Sequence, residues 1–342
     1  MHTEHDALHQ TITELTRPGR GILAADESGP TITKRFGALG IESTEDTRRR
    51  YRSMLFGTPG ADAYLSGVIL FEETLAQRDD AGTLLAEGLS KRGILVGIKV
   101  DKGTTPLPNA PGDLITQGLD GLAERLQGYK AQGARFAKWR EVYGITDANP
   151  TPLGIAANAE VLARYAAICQ QQGIVPIVEP EVLIDGGHSM ARCHEVSDAV
   201  LHAVFGALHR HGVRLEGMVL KPSMVLPGNK SGAKATAEDV AAATLQVLRR
   251  NVPAAVPTIN FLSGGQTPEQ ATANLNAMNV MDPRAPWVLS FSYARALQEP
   301  AMRAWGGRAE NVPAAQKAFH HRLEMASLAR EARWTPELER AA

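Results

Sequence analysis

The feature of this sequence that most restricts its fold is a series of short apolar runs, each bounded by glycine, proline or charged residues. The eight runs cover residues 21–26, 64–71, 93–100, 134–140, 173–182, 216–222, 256–263 and 287–293. Most are continuously apolar, which is typical of parallel strands covered on both faces. Segments rich in Ala, Leu, Gln and Arg lie between them, and we predict helices over residues 114–132, 157–172, 198–211 and 238–250.

The spacing of the runs indicates how the strands are arranged. Equivalent points near their ends lie roughly 30–40 residues apart, the length of one βα unit. Eight such units in 342 residues favour an α/β fold of the closed (β/α)8 TIM-barrel type over an open doubly wound sheet. No low-complexity linker divides the chain, so residues 1–342 are predicted to form one domain. Residues 1–19 would be an N-terminal helical arm, and residues 309–342 a C-terminal helix with a short tail.

Composition excludes several classes of protein. Hydrophobic residues make up 44% and charged residues 21%, which argues against a disordered chain. The 36 Lys and Arg balance 37 Asp and Glu, whereas a general nucleic-acid binder carries a basic excess. No apolar stretch approaches the ~18 residues of a membrane span, and residues 1–6 resemble no secretory signal. The two cysteines, Cys169 and Cys193, are predicted to be buried thiols. We therefore expect a cytoplasmic globular protein.

Charged side chains stand near the ends of several runs. In a (β/α)8 barrel the carboxyl ends of the strands form the active face, so these charges are candidates for chemistry. Because side chains alternate along a strand, Lys138 and Arg140 share one face, as do Glu179 and Glu181. The runs that carry Lys138, Glu179 and Lys221 are consecutive. We therefore predict that these three side chains lie side by side at the mouth of the barrel.

Lys221 is the better nucleophile candidate of the two lysines. It ends an apolar run, and Pro222 keeps it extended. A free lysine amine has a pKa of about 10.4, which burial and a second ammonium group both lower. A neutral amine could form a Schiff base with a ketone while Glu179 moves the protons. Glu181 would orient its neighbours, and Asp26 could accept a proton from a substrate hydroxyl.

Two groups of residues resemble phosphate sites. The turn Ser263-Gly264-Gly265 precedes a helix that begins with a predicted capping box at residues 267–270. An ordinary glycine turn is the alternative, but barrels often bind phosphate after strands seven and eight, and Arg295 follows the eighth run. The second group of hydroxyls and cations, near the first run, comprises Ser28, Thr31, Lys34 and Arg35. Two anion sites around one lysine suggest a bisphosphorylated substrate.

Histidine ligation of a metal is not expected. His188 and His194 are six residues apart, while His209 and His211 fall on different faces of a predicted helix. None of the four ends a strand beside a carboxylate.

From about Arg17 to Thr335 the sequence resembles class I, Schiff-base-forming fructose-1,6-bisphosphate aldolases. The segments that carry the resemblance are residues 21–28, 97–103, 136–140, 175–181, 220–222, 262–266 and 292–297. The resemblance implies cleavage of fructose 1,6-bisphosphate to dihydroxyacetone phosphate and glyceraldehyde 3-phosphate, and the reverse condensation. It implies that Lys221 forms the Schiff base, Glu179 is the acid and base, Asp26 acts on the C4 hydroxyl and Lys138 supplies positive charge.

The resemblance also implies how the substrate is held. It assigns the C1 phosphate to Ser263, the amides of Gly264 and Gly265, and Arg295. It assigns the C6 phosphate to Ser28, Thr31, Arg35 and Lys99, and Arg48 and Arg140 are further substrate-binding candidates. Family members are usually cytosolic homotetramers that need neither a metal nor another cofactor. The expected partners are sugar phosphates, and no binding to nucleic acid or to a membrane is expected.

Three positions depart from the family pattern. Ala294 stands where Gly is usual, and Thr31 replaces Ser while keeping the hydroxyl. Animal and plant relatives end in a tyrosine that assists proton exchange on the enamine, whereas the last tyrosine here is Tyr293. This difference predicts that another group protonates the enamine, or that the step is slow.

Two other functions remain open from the sequence. One is another Schiff-base barrel, such as a monophosphate-sugar aldolase or a transaldolase, which would show no preference for bisphosphates. The other is a sugar-phosphate sensor or scaffold, which would bind without turnover.

Overall fold

In residues 2–340, which the computed structural model describes, eight parallel strands close into a barrel. The strands in chain order are β1 (Gly21–Ala25), β2 (Leu65–Leu70), β3 (Leu95–Lys99), β4 (Thr104–Pro106), β5 (Leu114–Thr116), β6 (Ala134–Tyr143), β7 (Val175–Val182), β8 (Val219–Leu220), β9 (Thr258–Phe261) and β10 (Val288–Tyr293). The pair β4–β5 is a separate antiparallel hairpin, and the other strands follow one another around the barrel until β10 pairs with β1. Each predicted strand is present, and the predicted TIM-barrel fold is confirmed.

Helices connect the strands and cover the barrel. They are α1 (His2–Leu15), α2 (Gly29–Gly37), α3 (Glu45–Phe56), α4 (Glu72–Ala76), α5 (Leu85–Lys91), α6 (Leu122–Ala131), α7 (Pro152–Gln171), α8 (Met190–Arg210), α9 (Ala237–Asn251), α10 (Pro268–Met281), α11 (Arg295–Trp305) and α12 (Val312–Arg330). The predicted extensions at residues 1–19 and 309–342 contain α1 and α12, while residues 1, 341 and 342 lie outside the described residues.

The helix predicted over residues 114–132 is wrong in its first half. Its apolar start is strand β5, which pairs with β4. Gly118 and Gly121 then have φ angles of 123° and 63°, a region that favours glycine and interrupts a helix. The helix begins only at Leu122. The prediction merged two elements because the apolar residues of a short strand and of a helix look alike in sequence.

The barrel interior is apolar in its lower part. Phe136 points inward from β6 and packs with Ile22, Ile177 and Val219 of neighbouring strands. A Cβ atom on Gly97 would lie 2.1 Å from the Phe136 ring, so only glycine allows that ring to fill the barrel. Trp139, on the opposite face of β6, packs outside the barrel, because side chains alternate along the strand.

The N-terminal end of the barrel is closed by α1. Leu8, Ile12 and Leu15, spaced to share one helix face, are buried in the same cluster as the inward-facing Leu95 and Val175. Apolar packing therefore seals this end, and the carboxyl ends of the strands form the open one.

Two further predictions concern the chain as a whole. Cys169 and Cys193 are buried free thiols, which confirms their predicted state. No helix in the described part of the chain combines the length and hydropathy needed to cross a membrane.

Candidate active site

A cavity of about 240 Å³ opens at the carboxyl ends of the barrel strands. The predicted site residues that line it are Asp26, Ser28, Thr31, Arg35, Lys99, Lys138, Arg140, Glu179, Glu181, Lys221, Ser263, Gly264 and Arg295. Gly265 is adjacent, because a Cβ atom built on it would lie 3.7 Å from Nη2 of Arg295. Strands β1, β3, β6, β7 and β10, the residues directly after β1, β8, β9 and β10, and helix α2 thus contribute to one cavity.

Along several barrel strands, the inward-facing side chains change from apolar to charged toward the carboxyl end. In β6 the inward series runs from Phe136 to Lys138, and in β7 from Ile177 to Glu179. Val219 leads to Lys221 in the same way, and the Lys221 amide donates to the Val178 carbonyl at 2.8 Å. One pleat therefore separates the apolar floor from the charged mouth.

Four of these charges contact one another. Lys138 Nζ donates a hydrogen bond to Asp26 Oδ2 at 3.0 Å and lies 3.0 Å from Glu179 Oε2. Lys221 Nζ lies 3.4 Å from the same Glu179 oxygen, and both lysine side chains are at most 5% exposed. The predicted row of Lys138, Glu179 and Lys221 is therefore present in the fold.

The two lysines differ in proton affinity. Burial lowers the pKa of Lys221 below its usual value; the Glu179 carboxylate opposes this shift, and the Lys138 ammonium adds to it. Burial also disfavours the charged form of Lys138, but Asp26 and Glu179 outweigh it and raise the pKa of Lys138. Lys138 is thus held as an ammonium ion, whereas Lys221 loses its proton more readily than an ordinary lysine.

Asp26 is held as a carboxylate. Burial by itself would raise its pKa, but the charges of Lys138 and Lys221 and the Lys138 hydrogen bond hold the pKa of Asp26 well below its usual range. An ionised carboxylate beside the buried amine is able to accept a proton from a bound hydroxyl group.

The turn after β9 contains the first group of predicted phosphate ligands. Gly264 and Gly265 have φ angles of 26° and 84°, which L side chains rarely adopt, and the Gln266 amide donates to the Ser263 carbonyl at 2.9 Å. Helix α10 follows, and the predicted capping box between Thr267 and Gln270 is confirmed. The turn therefore leads directly into a helix N-terminus, where anions are favoured.

Three members of the second group of predicted phosphate ligands lie at the start of α2 or within it. Ser28 Oγ and Thr31 Oγ1 are 3.0 Å apart, and Arg35 forms an ion pair with Glu27. Lys99 contacts Asp101 in the same wall of the cavity. From here the cavity continues into a groove of about 590 Å³ between α2 and α11, which shares Arg35, Arg140 and Arg295 with it.

Arg140 and Glu181 lie two residues beyond Lys138 and Glu179 on the same strands, and they form an ion pair. Arg140 Nε donates to Glu181 Oε2, and the Glu181 charge outweighs burial to raise the pKa of Arg140. Glu181 therefore holds the guanidinium at the cavity wall.

Arg48 is not among the residues that line this cavity in the described chain. Its Nε and Nη2 atoms donate to the two carboxylate oxygens of Glu73 at 2.8 and 2.6 Å. The bidentate pair directs the guanidinium to α4, so substrate binding by Arg48 stays a prediction that no contact here supports.

Sequence reasoning missed two polar residues that line the cavity. Glu27 lines the cavity and accepts hydrogen bonds from Arg35 and Arg52, and Ser292 lines it with a buried hydroxyl that has no partner among the described residues. For Ser292, alternation along β10 could have supplied the signal, whereas the Glu27 contacts depend on distant segments.

No group of three or more His, Cys, Asp and Glu side chains within residues 2–340 is arranged to hold a metal ion. The predicted absence of a cofactor stays a prediction.

A parallel barrel with buried, mutually contacting charges at its carboxyl end is the arrangement of a barrel enzyme. Comparison with known proteins specifies the family. The model of the "Fructose-bisphosphate aldolase class-I" family matches residues 7–342. The chain is 54% identical over 302 residues to "Fructose-bisphosphate aldolase 4, cytosolic" of Arabidopsis thaliana, covering 88% of this chain and 77% of the relative.

Two further comparisons agree. The chain is 53% identical to the "Fructose-bisphosphate aldolase, cytoplasmic isozyme" of Spinacia oleracea, over 92% of this chain and 88% of that protein. A crystal structure of the Plasmodium falciparum aldolase in complex with TRAP and a small-molecule inhibitor superposes with a TM-score of 0.95 at 49% identity, covering 97% of this chain and 96% of that one. The chain belongs to the class-I fructose-bisphosphate aldolase family, which confirms the resemblance, and it is an aldolase of the lyase class.

Proposed function

We propose that this chain cleaves fructose 1,6-bisphosphate reversibly to dihydroxyacetone phosphate and glyceraldehyde 3-phosphate through a Schiff base on Lys221. The observation that carries the proposal is the buried Lys221 amine, 3.4 Å from the Glu179 carboxylate and in one cavity with both groups of candidate phosphate ligands. Family membership favours this activity over a sensor that does not turn over its ligand.

Schiff-base formation begins when the neutral Lys221 amine attacks the C2 ketone. Glu179, which has taken the proton of the Lys221 ammonium, donates it to the carbonyl oxygen to complete the carbinolamine. It then takes the proton that the carbinolamine nitrogen releases and passes it to the departing hydroxyl, so that water leaves and an iminium ion forms. Lys138 holds positive charge beside these groups, because its ion pairs with Asp26 and Glu179 raise its pKa. Glu181 orients the charged mouth through its contact with Arg140.

Carbon–carbon cleavage follows from the same geometry. The Asp26 carboxylate removes the proton of the C4 hydroxyl, the C3–C4 bond breaks, and its electron pair passes to the iminium to give an enamine. The C4 fragment leaves as the aldehyde. Protonation of the enamine at C3 and hydrolysis of the iminium then release dihydroxyacetone phosphate and return the Lys221 amine.

The two phosphates are held on either side of Lys221. We assign the C1 phosphate to Ser263, the amides of Gly264 and Gly265, and Arg295, which the positive φ angles of the turn support. We assign the C6 phosphate to Ser28, Thr31, Arg35 and Lys99, with Arg140 nearby. Both sets combine hydroxyl or amide donors with a cation, as phosphate oxygens require.

The remaining assignments follow the family. We propose that the protein acts in the cytoplasm, as the relatives named cytosolic do, that it uses no metal or other cofactor, and that it assembles as a homotetramer. Sugar phosphates are its proposed partners.

Trapping the covalent intermediate tests the proposal. Incubation with dihydroxyacetone phosphate and borohydride is expected to fix a stable adduct, and peptide mass mapping is expected to find it on Lys221. Cleavage activity is expected to persist in the presence of a chelator. The Lys221→Arg variant, which keeps the charge but has no comparable nucleophilic amine, serves as the matched control and is expected to form no adduct. An adduct on Lys138, or none in the wild-type protein, would contradict the mechanism.

A further inference from the structure

A buried polar cluster lies directly behind the second group of candidate phosphate ligands. At its centre is Glu27, whose side chain is 3% exposed and is flanked in the sequence by Asp26 and Ser28 of the cavity wall. Arg52 of α3 donates from Nη1 to Glu27 Oε2 at 2.8 Å, and the Arg52 side chain is only 2% exposed. Arg35 of α2 donates to the other carboxylate oxygen, Oε1.

The neutral members of the cluster fix its geometry. Gln298 of α11 donates from Nε2 to Glu27 Oε1 at 2.8 Å and to the Ala24 carbonyl. Tyr51, beside Arg52, donates to Gln298 Oε1 at 3.1 Å. Helices α2, α3 and α11 thus meet at one carboxylate directly after β1.

The charges of the cluster do not cancel. Glu27 contributes one negative charge, while Arg35 and Arg52 each contribute a positive one. Arg52 is buried and away from the cavity, whereas Arg35 is 23% exposed and lines it. The cluster therefore carries one net positive charge, and Arg35 is the arginine that presents it on the side where a phosphate would bind.

We infer that Arg52 is a positioning residue for bisphosphate substrates: by neutralising Glu27, it leaves the guanidinium of Arg35 available to the second phosphate group. The inference rests on the proposed function. It identifies a residue that favours bisphosphate substrates over monophosphates. Without Arg52, a phosphate would have to compete with a buried carboxylate for Arg35 and would also be repelled by it.

Substrate preference tests this charge balance. The measurement is kcat/KM for fructose 1,6-bisphosphate divided by kcat/KM for fructose 1-phosphate, which lacks the phosphate that Arg35 would bind. Arg52→Met is expected to lower this ratio roughly 10- to 100-fold, as for the loss of one charge-assisted contact. Arg52→Lys, which keeps the charge, is expected to change it only slightly. A structural role alone would lower both kcat/KM values together and leave the ratio unchanged.

Two variants at Glu27 complete the experiment. The Glu27→Gln/Arg52→Met double variant removes both buried charges and is expected to recover most of the preference. Glu27→Gln alone keeps both arginines and is expected to retain or increase the preference, so it tests the charge balance even if Arg52→Met does not fold.

The outcomes separate the inference from the proposed function. Equal losses for the two sugars in Arg52→Met, no recovery in the double variant, or a lowered preference in Glu27→Gln would overturn the inference while wild-type cleavage still supports the aldolase activity. A wild-type protein that cleaves neither sugar would overturn both.

Discussion

At the scale of single residues, the active cavity holds two lysines whose environments separate their roles. Both lie within 3.4 Å of the same Glu179 oxygen, but only Lys138 also donates a hydrogen bond to Asp26. The two carboxylates stabilise the Lys138 ammonium, whereas burial dominates at Lys221 and lowers its pKa. These environments agree with the roles proposed above, electrostatic support for Lys138 and nucleophilic attack for Lys221.

Glu141 is a buried residue of strand β6 whose carboxyl group is expected to make stability depend on pH. It lies on the outer face of β6, where Oε1 accepts a hydrogen bond from Trp139, and burial raises its pKa from 4.5 to about 8. Because the folded state holds this proton more tightly than the unfolded state, its contribution to stability is complete below about pH 4.5 and is lost as the pH rises toward 8.

Glu141→Gln removes this titration while keeping an acceptor for Trp139. Relative to the variant, the free energy of unfolding of the wild-type protein is expected to fall by up to about 1.4 kcal/mol per pH unit between pH 5 and 8. Denaturant unfolding of both proteins at several pH values measures the difference. Parallel pH dependences for the two proteins would show that Glu141 is ionised throughout this range.

At the scale of elements, the turn between β9 and α10 depends on a side chain that does not itself line the cavity. Gln266 Nε2 donates to the Ser263 carbonyl at 3.2 Å, and Asn274 of α10 donates to Gln266 Oε1 at 2.7 Å. This buried amide pair links the helix to the glycine turn, which is the proposed site of the C1 phosphate.

Gln266→Ala is expected to raise KM for fructose 1,6-bisphosphate about tenfold, with a smaller change in kcat, because the turn must be ordered again on binding. Steady-state kinetics measure the effect. The control is Gln270→Ala on the same helix, which removes the capping contact to Thr267 and is expected to lower thermal stability while leaving KM unchanged. The prediction would be wrong if both variants changed KM equally.

At the scale of the whole molecule, the two ends of the barrel differ: one is closed by apolar packing, and the other carries the charged side chains. Helix α1 seals the N-terminal end with Leu8, Ile12 and Leu15, while the charged side chains meet at the other end. Stability and chemistry are therefore expected to respond to different substitutions, as is usual for this fold.

Ile12→Ala creates a cavity under the barrel floor and is expected to lower the free energy of unfolding by about 2–5 kcal/mol. Its kcat and KM are expected to stay near the wild-type values at temperatures where the variant remains folded. Chemical denaturation and steady-state kinetics on the same preparation test both statements, with the exposed His9→Ala as the control. A selective rise in KM would contradict the prediction, because it would mean that packing at the N-terminal end affects how the substrate-binding residues are positioned.

The sequence was sufficient for the strands and for most of the site. Alternation and run length depend on neighbouring residues in the chain, so the eight apolar runs, the inward face of Lys138 and the capping box at Thr267 could all be predicted locally. The same local pattern failed at residues 114–116, where a short strand resembled the start of a helix. It also could not show that Arg48 pairs with Glu73.

By itself the sequence determined a barrel with a charged rim, because the regular spacing of eight apolar runs favours a closed barrel, and the charges near several of their ends then fall at one end of it. Only the tertiary structure decided which charges meet. The contacts of Arg52 with Glu27 and of Lys138 with Asp26 join segments 25 and 112 residues apart. Such contacts depend on strand register and helix packing, which result from many weak interactions over the entire chain. The contact of Lys138 with Asp26 also shifts the pKa values of both residues.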